Sequence, residues 1–158
     1  ELAHAAGISC EGEIGFVGYT NGDHSSGTDP EEAAKFSRYT CVDTMAISVG
    51  NVHLQKSKVS GLDEALISEI DRRTTVPLVI HGGSGVPFAQ RKYLARHSSI
   101  CKFNIGTELR MIFGSALRDA VTQNPTRFDR LEILKETHFP MKLAAQQIIR
   151  ALCKPDFA

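Results

Sequence analysis

The sequence predicts an α/β fold built on a parallel sheet. Three observations carry that prediction. Short apolar runs alternate with helical stretches four times. The runs are mostly apolar throughout, as expected of strands covered on both faces. Each strand–helix connection returns the chain in the same direction, which needs a crossover and gives parallel pairing. Two architectures satisfy this pattern, an open doubly wound sheet or part of a β/α barrel.

The elements follow in order. "ELAHAAG" (1–7) reads as the tail of a helix, with Gly7 as its carboxyl-terminal stop. "ISCEGEIG" (8–15) alternates enough to be a strand. "DPEEAAKFSRYT" (29–40) is a helix with Asp29 at the N-cap and Pro30 at the first helical position. Glu31 and Glu32 then favour the positive end of its dipole. "TMAISVG" (44–50) is the second strand. "GLDEALISEIDRR" (61–73) carries Leu62, Ala65, Leu66 and Ile70 at helical spacing. "PLVIHG" (77–82) is the third strand, and "VPFAQRKYLARHS" (86–98) is a helix with an early proline. "ICKFNIG" (100–106) is the fourth strand. "TELRMIFGSALRDAVTQ" (107–123) is a long amphipathic helix capped by Thr107. A last helical region, about 126–153, contains Pro140, which should kink or split it.

Composition narrows the function classes. The chain is 42% hydrophobic and 23% charged, as globular domains are. Eighteen Lys and Arg balance eighteen Asp and Glu, so a nucleic-acid or membrane-surface partner is not expected. No apolar run approaches a membrane span, and the start does not resemble a signal peptide. Cys10, Cys41, Cys101 and Cys153 are scattered and form no CxxC pair. They are expected to be reduced thiols, each a small core residue, in a cytoplasmic protein.

Ligands of parallel β/α proteins bind at the carboxyl ends of the strands. Those ends carry Glu11 and Glu13, then Asn51 and His53, then His81 with the turn "GGSG", then Lys102, Asn104, Gly106 and Thr107. His53 and His81 come from adjacent strands, about 5 Å apart. Two imidazoles there, with a carboxylate such as Glu13, suit a zinc ion. Glu11 and Glu13 share a face. One of them binds metal or orients a histidine from behind. The alternative is that each histidine is a hydrogen-bonded structural residue. Lys102 is expected to be a charge partner rather than a Schiff-base former. "HGGSG" and "NIGT" each bring backbone N–H groups to a helix start, which suits a phosphate. Ser84 and Thr107 add hydroxyls, and the alternative is a tight turn before a helix. The polar loop 16–30, with Asp23 and His24, is long enough to be a lid or simply a flexible loop. His4, His97 and His138 lie in helical stretches and take no role.

"CEGEIG", "SVGNVH", "LVIHGGSG" and "CKFNIGTEL", in this order and spacing, resemble the class II ketose-bisphosphate aldolases. These are zinc-dependent barrel enzymes that include the fructose- and tagatose-bisphosphate aldolases. The resemblance runs along nearly the whole chain. It implies a (β/α)8 TIM barrel, with 1–158 as the carboxyl-terminal half of one domain, strands five to eight and the last helices. It implies that His53 and His81 are two of three histidine zinc ligands. Glu13 then contacts a second divalent metal position or sits near the zinc. Gly82, Ser84, Asn104, Gly106 and Thr107 hold dihydroxyacetone phosphate, with Asn104 against the enediolate and a monovalent cation nearby. The activity implied is cleavage of a ketose 1,6-bisphosphate into dihydroxyacetone phosphate and an aldehyde, and the reverse. The alternative is a non-catalytic or divergent sugar-phosphate and metal-binding homologue.

Three departures from the family matter, the first being that its first zinc histidine and catalytic aspartate belong to the first half of the barrel, which these residues do not include. Leu54 stands where the family usually has glycine, and the loop reads "GYTNGDHSSG" where fructose-specific members have acidic residues. Four strands cannot close a barrel. The other half is therefore expected in the same polypeptide or in a partner chain, covering the sheet edges and an apolar inner face. Alone, these residues are expected to be inactive, and the complete protein is expected to be a homo-oligomer, dimer or tetramer.

Overall fold

In the computed structural model, residues 1–18, 27–52 and 61–153 are described. The chain divides into two compact units, Glu1–Ile105 and Gly106–Ala158. The first holds a four-stranded parallel sheet in the order β1 (Glu11–Ile14), β2 (Thr44–Ile47), β3 (Leu78–Ile80) and β4 (Ile100–Phe103). Spatial order equals sequence order, as in a β/α barrel and unlike a doubly wound sheet, whose strand order reverses. Those helices are α2 (Pro30–Thr40), α3 (Glu64–Arg73) and α4 (Phe88–His97), and α1 (Leu2–Ala5) precedes β1.

The strands are shorter than the sequence predicts. Their apolar runs continue past the last ladder bond, because the chain turns into the connecting loops there. The polar residues Asn51, His81 and Asn104 therefore sit just beyond the strands, on loops rooted in them.

The helix-covered face of the sheet forms the core. Met45 and Ile47 of β2, Leu78 and Ile80 of β3 and Ile100 of β4 cluster there with Ala33, Leu62, Ile67, Ile70 and Leu94 of the helical layer. On α3 the buried residues are Ile67 and Ile70, with Leu62 buried just before the helix, whereas Ala65 is exposed. Ile67 offers more apolar surface than Ala65, so the helix rotates to bury it. Gly12 of β1 lies on this face. A Cβ there would meet the Phe36 ring at 2.8 Å and Val42 at 3.0 Å, so the strand can lie against α2 only without a side chain.

The opposite face is not the apolar surface expected. β-sheet register aligns Glu13, Ala46, Val79 and Lys102 in one row. Ala46 and Val79 are fully buried, and ionic side chains flank them. The register slips between Leu78 and Val79 opposite β4, so Cys101 is the extra residue of a bulge. Cys10, Cys41 and Cys101 are exposed, not core.

Local signals are met in part. The Asp29 carboxylate accepts from the N–H groups of Glu31 and Glu32, both at 2.9 Å, with Pro30 in the first turn. Gly7 ends α1 at φ +70° and its N–H donates to the His4 carbonyl. Pro87 is the N-cap of α4 rather than its first residue.

The second unit is a helix pair, α5 (Thr107–Gln123) and α6 (Arg130–Leu152). Thr107 is not the cap of α5. Gly106 holds that position, and the Thr107 hydroxyl instead accepts from Arg110 at 3.0 Å. Pro140 does not split the last helix, which continues unbroken on both sides of it. Proline removes one helical hydrogen bond. Packing of α6 on α5 holds the remaining turns in place. Phe128, Leu131, Phe139 and Ile149 of this unit remain exposed. Among the described residues, no helix is long and apolar enough to cross a membrane.

Asp43 ties α1 to the sheet. Its carboxylate accepts from the Cys10 N–H at 2.6 Å and contacts His4 Nε2 at 2.9 Å. The Cys10 N–H and then His4 hold its pKa below the ordinary value of 3.8. A carboxyl with a depressed folded pKa stabilises the fold above its unfolded value, and that contribution is lost as pH falls through the folded value. Asp43→Asn is expected to lower the urea midpoint at pH 7 and to flatten its decline below about pH 4. Denaturation curves across that range test both.

Candidate active site

β1 starts with Glu11 and carries Glu13 two residues on, both on the face away from the helices. His81 follows β3 and reaches both of them. Its Nε2 lies 3.1 Å from Glu11 Oε1, and its Nδ1 lies 3.3 Å from Glu13 Oε2. β2 lies between β1 and β3. Its small Ala46 leaves the imidazole room to lean across. Lys102 of β4 closes the cluster, with Nζ 2.7 Å from Glu11 Oε2. The Thr44 hydroxyl donates weakly to the same oxygen at 3.5 Å. Lys102 is thus the charge partner the sequence suggests.

β1 and β4 are three strand spacings apart, about 14 Å in a flat sheet. A direct Glu11–Lys102 pair therefore requires the sheet to curl around this face, as a barrel wall does. The His81 side chain is only 16% exposed, against 28% for Glu11 and 43% for Glu13. Burial pushes the Glu11 pKa up. Hydrogen bonds from Lys102 and His81, with their charges, outweigh burial and hold it below the ordinary carboxylate value.

The turn after His81 is locked to its neighbour. Gly82 takes φ +67°, a left-handed conformation that favours glycine. The Gly83 N–H donates to the Asn104 carbonyl at 3.0 Å, and the Asn104 N–H donates to the Ile80 carbonyl at 2.9 Å. A Cβ on Gly83 would meet the Asn104 carbonyl at 3.2 Å. The Gly85 and Val86 N–H groups donate back to Gly82 and Gly83. The turn therefore spends three N–H groups on itself and β4, where the sequence suggested a row of donors for an anion. Ser84 is buried, while Asn104 is exposed. In the other unit, Gly106 and Thr107 begin α5, whose first-turn N–H groups have no partner within the helix.

Asn51 is a structural residue that sequence reasoning left without a role. It is 2% exposed. Its Oδ1 accepts from the Val49 N–H at 2.8 Å, and its Nδ2 donates to the carbonyls of Ile47 at 3.2 Å and His81 at 3.0 Å. It therefore fixes the backbone from which His81 projects. An asparagine directly after a glycine at the end of a strand was the available signal. His97 Nδ1 donates to the Tyr93 carbonyl, within its own helix.

His53, Leu54, Asp23 and His24 lie outside the described residues. Among the described residues, no group of three or more His, Cys, Asp or Glu side chains is arranged as a metal site. His81 and Glu13 are the donors of a kind zinc takes on this recessed face, while Glu11 is held by Lys102.

Residues 1–156 match the family model described as fructose-bisphosphate aldolase class-II. Among solved structures the chain is similar to the YdjI aldolase from Escherichia coli K12. That likeness has 30% identity and a TM-score of 0.71, covering 96% of this chain and 51% of that one. It is also similar to the fructose-bisphosphate aldolase of Campylobacter jejuni, with 21% identity, a TM-score of 0.73, and coverage of 95% and 52%. The second likeness speaks for the fold alone. The chain spans about half the length of both, and its parallel β/α sheet matches their TIM-barrel fold over that half.

Asn51→Ala leaves the buried Val49 N–H and Ile47 carbonyl, and the part-buried His81 carbonyl, short of a partner. It is expected to cost about 2 kcal/mol of stability. Chemical denaturation measures that loss.

Proposed function

The chain belongs to the class II fructose-bisphosphate aldolase family, and we propose that it serves a zinc-dependent, reversible cleavage of a ketose 1,6-bisphosphate. The products are dihydroxyacetone phosphate and an aldehyde. The observation that supports this best is His81 at the mouth of β3, seated between Glu11 and Glu13 and beside the glycine turn.

In this reading His53, His81 and Glu13 hold the metal, with a second divalent position at Glu13. When bound, zinc polarises the ketone carbonyl of the substrate and so stabilises the charge left when the C3–C4 bond breaks. The chain's own residues orient and anchor. Gly82, Ser84, Asn104, Gly106 and Thr107 are the substrate-phosphate residues, with a monovalent cation nearby. Asn104 is the catalytic residue of this stretch, its exposed amide directed to the enediolate. Anchoring the phosphate fixes the distance from it to the reacting carbon.

The remaining barrel strands come from the same polypeptide or a partner chain, and these residues alone do not turn over substrate. The complete protein is a homo-oligomer in the cytoplasm, and the exposed apolar residues of α6 support association. Leu54 and the loop "GYTNGDHSSG" favour a second reading, a divergent sugar-phosphate-binding homologue without lyase activity.

A coupled retro-aldol assay on the intact protein separates the two. Fructose and tagatose 1,6-bisphosphates are the substrates to compare. Activity that disappears with a chelator and returns with zinc is expected. His81→Ala should lower kcat at least about a hundredfold, since it removes a metal ligand. Turnover unaffected by the chelator would sink the zinc reading. Binding without turnover would establish the divergent homologue.

A further inference from the structure

An imidazole that binds a metal does so through one nitrogen. The hydrogen bond made by the other nitrogen fixes the tautomer and the ring orientation. Both nitrogens of His81 face carboxylates, so the geometry must decide which one turns to the ion. The two carboxylates are not equivalent. Glu11 has both oxygens engaged, Oε1 with His81 and Oε2 with Lys102 at 2.7 Å and Thr44 at 3.5 Å. Its backbone is the first residue of a strand, and its ion-pair partner belongs to another strand of the same sheet. Glu13 contacts His81 through one oxygen and is the more exposed of the two.

Lys102 also bars Glu11 from ligating. A cation on Glu11 would sit within a few ångströms of the lysine ammonium, and like charges that close on a recessed face repel strongly. Glu13 has no such neighbour among the described residues. We infer that Glu11, clamped by Lys102, is a positioning residue that holds His81 Nε2–H and thereby presents Nδ1 to the metal, with Glu13 as the carboxylate free to move. The inference rests on the metal reading above and assigns it an orienting pair.

Their spacing on one strand left Glu11 and Glu13 interchangeable, and the family resemblance pointed to Glu13 as the metal residue. In the structure the crossing contact from β4 to β1 distinguishes them. The order matters chemically, because a carboxylate behind the ring raises its basicity toward the ion and prevents it from rotating away.

Zinc affinity of the intact protein tests this, measured by competition with a chromophoric chelator. Cobalt-substitution spectra provide a second readout. Glu11→Ala is expected to weaken zinc binding about tenfold to a hundredfold. The circular dichroism spectrum and urea midpoint of the metal-free protein should stay near wild type. Lys102→Met should weaken binding in the same direction, and Lys102→Arg should restore it. The cobalt absorption bands should shift in Glu11→Ala as the ring reorients. Wild-type affinity in Glu11→Ala would overturn the inference. So would a loss as complete as that of His81→Ala, since Glu11 would then be a ligand itself. A wild-type protein that binds no zinc would refute the metal reading first, and the positioning role with it. Should Glu11→Ala fail to fold, Lys102→Met and its arginine rescue decide the same question.

Discussion

The ion pair between Lys102 and Glu11 spans the whole sheet, from its last strand to its first. Strands three spacings apart meet through side chains only when the sheet curls, and the residues lining the inside of that curl must leave room. Ala46 and Val79 occupy the middle of the row and are fully buried. Larger side chains there would hold Glu11 and Lys102 apart and push His81 out of the space between β1 and β3. The clustering of imidazole and carboxylates therefore depends on two small residues as much as on the charged ones.

The two faces of the sheet divide the work. The helix-covered face buries Met45, Ile47, Leu78, Ile80 and Ile100 against Leu62, Ile67, Ile70 and Leu94, and this burial stabilises the unit. The other face carries Glu11, Glu13 and Lys102 and contributes little apolar area. Loops at the strand ends connect the two roles. Asn51 is buried with the core, yet it bonds the His81 carbonyl and so fixes a residue of the polar face. The Gly83–Asn104 backbone pair does the same for the ends of β3 and β4.

Where local reading and structure differ, tertiary packing is the reason. Pro140 predicts a break, but the loss of one hydrogen bond is small beside the packing of α6 against α5. Ala65 falls on the expected helical stripe, yet α3 turns to bury Ile67 instead. Thr107 has the chemistry of a cap, and the chain places Gly106 there. The glycine turn suggests spare donors, and β4 consumes the Gly83 N–H because the two loops run side by side.

By itself the sequence determined the alternation of strand and helix, the parallel sheet, the N-cap at Asp29 and the family. These properties are local or lie in short motifs, which periodicity, capping chemistry and ordered spacing record directly. It also determined that His81 and Asn104 follow the carboxyl ends of their strands, whereas Glu11, expected at such an end, instead opens β1, and Lys102 lies within β4. Which of them touch was decided only by the tertiary structure. Contacts between β1, β3 and β4 join residues 70 and 91 positions apart. They depend on sheet curl, on the β4 bulge and on the size of residues in an intervening strand. No local pattern encodes those quantities, so the pairing of Glu11 with Lys102 and His81 emerges only when the strands are assembled.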